Sequence, residues 1–117
     1  MQLRTMQKAV ISALEDIKAR DITVIDVRKT STFTDTMIIA SADSVRQTKA
    51  LAQHVQEKLK ARGVEILGTE GEETGEWILV DLGQIVVHIM QPAVRNYYNL
   101  EELWQVADEK RVKRSQA

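Results

Sequence analysis

Apolar residues recur at three- and four-residue steps through the amino-terminal segment, at Leu3, Met6, Val10, Ala13, Leu14 and Ile17. That spacing predicts an amphipathic helix with one buried stripe, ending near Arg20. Ile22 to Val27 and Thr36 to Ala42 are rich in β-branched residues and bounded by polar ones, so both read as strands. Their centres are apolar on both faces, which predicts interior positions in a sheet. Ser44 is placed to cap a second helix, whose stripe is Thr48, Leu51, Ala52, Val55 and Leu59 and whose carboxyl end is marked by Gly63. A short strand is expected from Val64 to Gly68, then an exposed acidic loop from Glu70 to Gly75.

Gly83 and Gln84 form a two-residue connection with glycine first, the chemistry of a type II′ hairpin turn. If Leu82 faces Ile85, the register runs outward through Asp81 and Val86, Val80 and Val87, Leu79 and His88, Ile78 and Ile89, to Trp77 and Met90. Side chains alternate between the two faces of a strand. One face of the hairpin is therefore wholly aliphatic, with Ile78, Val80, Leu82, Ile85, Val87 and Ile89, and must be buried under the helices. The other carries Trp77, Leu79, Asp81, Val86, His88 and Met90. Pro92 stops the last strand, and Tyr98, Leu100, Leu103, Trp104 and Ala107 predict a short final helix.

A length of 117 residues fits one domain. The expected arrangement is a single α/β domain over residues 1–107, a mixed sheet of about five strands with packed helices, followed by a charged, flexible tail over 108–117. Apolar residues make up 44% and charged residues 28%, as in an ordinary globular protein. Without cysteine the chain has no disulfide, thiolate ligand or thiol nucleophile. The start of the chain lacks the unbroken apolar run of a signal peptide, and no stretch of eighteen apolar residues occurs, so a cytoplasmic protein that does not cross a membrane is expected. A net charge of −1 gives no global reason to bind nucleic acid, and protein partners are favoured.

Three segments in order, Thr34 to Gln47 (TDTMIIASADSVRQ), Trp77 to Met90 (WILVDLGQIVVHIM) and Tyr97 to Trp104 (YYNLEELW), resemble the ribosome-silencing factor family, also called Iojap or YbeB. The likeness extends from about Leu14 to Trp104 and includes Ser44, Arg46, Gln47 and Gly83, read as structural positions. Ala42 departs from it, standing where relatives often have glycine. The resemblance implies a nucleotidyltransferase-like topology without the catalytic carboxylates. It further implies binding to a protein on the intersubunit face of the large ribosomal subunit, the fourteenth in the standard naming. Occupying that surface would sterically block subunit joining and repress translation, with no cofactor and no chemistry. Family members commonly form homodimers.

The mixed second face of the hairpin is too apolar for free solvent and too polar for a plain core. Tryptophan and methionine are enriched in interface cores, so Trp77, Leu79, Asp81, His88 and Met90, extended by Tyr98, Glu101 and Glu102, are the candidate partner-binding residues. The competing explanation is that the last helix or the acidic loop covers this face within the chain. Acidic residues Glu70, Glu72, Glu73 and Glu76 would complement basic ribosomal proteins, and equally describe a solvated loop. Lys110, Arg111, Lys113 and Arg114 could make incidental contact with ribosomal RNA. His88 and Asp81 lie diagonally on one face, within reach of a polar contact, but no nucleophile or further metal ligand accompanies them. Nor does the elbow at Ser41 to Ser44 carry the clustered carboxylates of two-metal phosphoryl transfer. A capping serine, with Arg46 and Gln47 in structural hydrogen bonds, explains it. Catalytic, metal and cofactor residues are accordingly expected to be none; a large-subunit assembly factor and a nucleotidyltransferase-like nucleotide binder are the alternative functions.

Overall fold

The computed structural model describes residues 1–100 and Glu102. In chain order the elements are α1 (Leu3–Asp16), β1 (Arg20–Asp26), β2 (Thr36–Ser41), α2 (Val45–Ala61), β3 (Gly68–Glu70), β4 (Trp77–Asp81), β5 (Ile85–Met90) and α3 (Pro92–Tyr98). They form a single α/β domain around one mixed five-stranded sheet in the order β1-β2-β5-β4-β3. Strand β2 runs parallel to β5, and every other pairing is antiparallel.

The hairpin register is the one its turn chemistry predicts, from Trp77 opposite Met90 to Asp81 opposite Val86. Gly83 adopts φ +85, and the Leu82 amide donates to the Ile85 carbonyl at 2.9 Å. The Gln84 carbonyl then accepts from the amides of Asp35 and Thr36 and from the Thr34 hydroxyl, each at 3.0 Å. These bonds bring the start of β2 to the start of β5 and set the parallel pairing of Thr36 with Ile85.

Because the register is fixed, the sheet has two distinct faces. On the first, Ile38, Ala40, Ile78, Val80, Leu82, Ile85, Val87 and Ile89 pack against the stripes of α1 and α2 in one core. The Gln47 side chain ties the two helices together. Its amide nitrogen donates to the Ile17 and Lys18 carbonyls at 3.0 and 3.2 Å, while its oxygen accepts from the Asp43 amide at 2.8 Å. The Ser44 hydroxyl accepts from the Gln47 amide at 3.1 Å and caps α2, whose other end closes through Gly63 in the left-handed region. Arg46 departs from expectation. It is exposed and makes no side-chain hydrogen bond among the described residues.

Four other expectations are corrected. Helix α1 ends at Asp16 rather than near Arg20, because Lys18 turns into the left-handed region at φ 60 and the chain enters β1. Strand β1 is an edge, not an interior strand. Val64 to Leu67 form no strand, although Val64 and Ile66 pack on the core. They lie past the end of β4, and the ladder forms only from Gly68 opposite Asp81 to Glu70 opposite Leu79. An additional helix, α3, goes beyond the expected elements: it begins at Pro92, whose fixed φ suits a first helical turn, and stops at Tyr98, where Asn99 turns left-handed at φ 47. Of the expected final helix, Leu100 is helical, as is Glu102, whereas Glu101, Leu103, Trp104, Ala107 and the tail 108–117 lie outside the described residues.

Ile78 is fully buried on the aliphatic face. Ile78→Asp places an unpaired carboxylate there and is expected to remove at least about 3 kcal/mol of stability. Loss of the cooperative transition in a thermal melt checks this.

Candidate partner-binding face

The second face of the sheet can be read as rows. Thr23, Ile39, His88, Leu79 and Glu70 follow one another across all five strands; Ser41, Met90 and Trp77 form the next row. Helix α3 covers the β1-β2-β5 half of this face. There Ile25, Val27, Met37, Ile39 and Met90 form a small second core, with Val94, Leu100 and Trp77 packed against it. Arg95 fastens the helix from within, donating to the Ser41 hydroxyl at 2.8 Å and the Thr23 hydroxyl at 2.9 Å. The β4-β3 half stays open, and Trp77, Leu79 and Asp81 on it are half-buried.

Cover within the chain therefore accounts for one half of this face, and the other half is left partly exposed. Met90 is fully buried and offers no surface, so it supports the face from below and is removed from the candidate contacts. Tyr98 is 53% exposed and Tyr97, which the sequence reading did not select, is 83% exposed. Their rings meet edge-on at 5.1 Å between centroids, and Tyr98 packs on Trp77 at 4.9 Å. The signal for Tyr97 was its place beside Tyr98 at the end of an unrecognised helix. Glu102 is exposed and bonded to the Asn99 side chain. Glu101 lies outside the described residues.

Trp77 is oriented by His88. The indole Nε1 donates to His88 Nδ1 at 2.9 Å, which fixes the histidine as the neutral tautomer with its proton on Nε2. His88 is only 6% exposed, and burial lowers its pKa to about 4, so it remains an acceptor at neutral pH. The diagonal contact expected between His88 and Asp81 does not form. Trp77 occupies the opposite diagonal and takes the ring nitrogen, while Asp81 Oδ1 accepts from the Gly83 amide at 2.9 Å and braces the turn.

Among the described residues no group of three or more His, Asp or Glu side chains could hold a metal ion. Asp26 and Asp81 sit on opposite faces of the sheet by register, and Asp26 is paired with Arg28 at 2.6 Å, which lowers its pKa through hydrogen bonding. His54, the other histidine, binds Asp16 at 2.9 Å between the two long helices. No helix among the described residues is long and apolar enough to cross a membrane.

Comparison with known proteins places this architecture. Residues 1–117 match the family described as ribosomal silencing factor during starvation, RsfS. The chain belongs to the ribosomal silencing factor family. It is 54% identical over 104 residues to ribosomal silencing factor RsfS of Chromobacterium violaceum, covering 89% of this chain and 85% of that one. A crystal structure of a Chromobacterium violaceum protein superposes with a TM-score of 0.88 at 53% identity, covering 90% of this chain and 88% of the other. A mouse protein named mitochondrial assembly of ribosomal large subunit protein 1 is 36% identical over 98 residues, 81% of this chain and 43% of its own length.

The tautomer lock makes two measurable demands. His88→Leu leaves the indole N–H without its acceptor and is expected to cost about 1–3 kcal/mol, whereas His88→Asn, which restores an oxygen near Nδ1, recovers part of it in urea titrations. The folded-state pKa lies below the ordinary 6.5, so the neutral histidine's contribution is complete above pH 6.5 and is lost as pH falls towards 4. That shift corresponds to about 3 kcal/mol. His88→Asn, which does not titrate, should therefore lose less stability than the parent protein between pH 7 and pH 4.5.

Proposed function

We propose that the protein is a ribosome-silencing factor that docks the open half of its second sheet face on a large-subunit ribosomal protein and thereby excludes the small subunit. The observation that carries this reading is the half-buried group Trp77, Leu79 and Asp81 on β4, only partly covered by α3, whose exposed Tyr98 packs on Trp77. An apolar anchor with a few oriented polar groups is the composition of an interface core. Exposed Glu70, Glu72, Glu73, Glu76 and Glu102 supply a negative rim, suited to the basic surface of a ribosomal protein. The partner implied by the family resemblance is the fourteenth large-subunit protein, with a cytoplasmic site of action and a homodimeric silencer.

The mechanism needs occupancy and no bond-making. Ser44 caps a helix, Asp81 braces a turn and Asp26 is paired with Arg28, so the carboxylates and hydroxyl nearest to a transferase arrangement have structural partners. We infer that the chain is not an enzyme and uses no cofactor. A second reading, an assembly factor for the large subunit, is favoured by the name of the mouse relative. The two separate on sucrose gradients: a silencer enriches mature free subunits, and an assembly factor alters the amount of precursor particles.

Trp77→Ala is expected to weaken binding to isolated large subunits by about 2 kcal/mol, roughly thirtyfold, with the domain still folded. Sedimentation with purified subunits and a parallel thermal melt check both parts. Added to separated subunits, the protein should reduce complete ribosomes in proportion to the large subunits bound. Added to preformed ribosomes, it should act only after they dissociate. Stoichiometric binding to complete, translating ribosomes contradicts steric exclusion.

A further inference from the structure

Between the end of β3 and the start of β4 lies a cleft of about 250 Å³ lined by Glu70, Gly71, Trp77 and Leu79. We propose that it is a subsite for one arginine side chain of the docking partner, with the guanidinium against the indole and paired with the Glu70 carboxylate. The inference rests on the interface reading above and assigns the chemistry that one part of that interface recognises.

Three features build the cleft. Glu70 stands directly opposite Leu79 in the β3-β4 register, so the two side chains share the open face. The Glu70 carboxylate is exposed and makes no hydrogen bond or ion pair among the described residues. Gly71 sets the depth. It adopts φ +86, and a Cβ there would lie 2.0 Å from the Trp77 carbonyl oxygen, so only glycine lets the loop close this tightly over β4.

The tryptophan wall is held before any ligand arrives. His88 takes the indole N–H and Tyr98 packs on the ring, and neither residue lines the cleft, which Trp77 borders. An aromatic face beside an unpaired carboxylate is electrostatically suited to a cation. A guanidinium satisfies both, because it stacks flat on an indole while directing N–H groups to a carboxylate, whereas an ammonium is a more strongly hydrated point charge. The negative rim adds attraction without specificity. Glu72, two residues on, borders a separate groove on α2 with Lys49, Gln53 and Gln56 and provides an internal control of equal charge.

The test uses the full chain and two blocked tripeptides, Gly-Arg-Gly and its neutral citrulline analogue, titrated while the Trp77 indole N–H resonance is followed by NMR, with Trp77→Phe assigning that resonance. The arginine peptide should shift it saturably and bind at least about fivefold more tightly than the citrulline peptide. Glu70→Gln should abolish that preference, Glu72→Gln should preserve it, and Glu70→Gln should weaken large-subunit binding about three- to tenfold. Equal shifts by both peptides, or equal effects of the two glutamine variants, would overturn the subsite. If arginine selectivity appears as described but the wild-type chain fails to bind large subunits, the subsite stands and the ribosomal reading falls. If subunits bind and selectivity is absent, the reverse holds.

Discussion

The structure depends on the register of one hairpin. Gly83 takes the positive φ that the two-residue turn requires, and from there each β4 and β5 residue is committed to one face. A slip of one position would exchange Ile78, Val80, Leu82, Val87 and Ile89 for Trp77, Leu79, Asp81, His88 and Met90 beneath the helices. The aliphatic set contains no polar atom beyond the backbone, so the cost of exchange falls on burying His88 and Asp81 without partners. Because the Gln84 carbonyl also collects the amides of Asp35 and Thr36, the same turn aligns β2 with β5 and carries the choice of face across the sheet.

What the first face gains in simplicity, the second resolves by division. A seven-residue helix cannot span five strands, and α3 is anchored over β1 and β2 by Arg95, whose bonds reach Ser41 and Thr23. The apolar residues beneath it become a second core; those on β4 and β3 stay at the surface. Leaving them uncovered gives up burial that would otherwise stabilise the chain, at about 25 cal/mol per Å² of apolar area. The proposed interface would recover that term upon docking, which is the physical reason such an open half can persist.

Preorganisation is the second consequence of this arrangement. Trp77 has its N–H bound by a histidine kept neutral through burial, and its ring is packed by Tyr98. In the proposed docking, a ring fixed in advance would lose less side-chain entropy at the interface than a free one. Gly71 contributes in the same sense, since the tight approach of its loop to β4 shapes the surface next to the indole.

Sequence alone determined the elements whose signal is local: the stripes of α1 and α2, the Ser44 cap, the Gly63 stop and the hairpin with its register and aliphatic face. Each follows from periodicity of 3.6 or 2, or from a turn that only glycine permits. The three family segments were legible for the same reason, as linear patterns. Tertiary structure decided what depends on neighbours distant in the chain. That β1 lies at an edge follows from the strand order, that Val64 to Leu67 form no strand follows from where β4 ends, and that Met90 is sealed while Trp77 stays partly open follows from where α3 lies. The choice of Trp77 over Asp81 as the partner of His88 was likewise invisible in sequence, because both diagonals satisfy the same register and only the packed indole reaches the ring nitrogen.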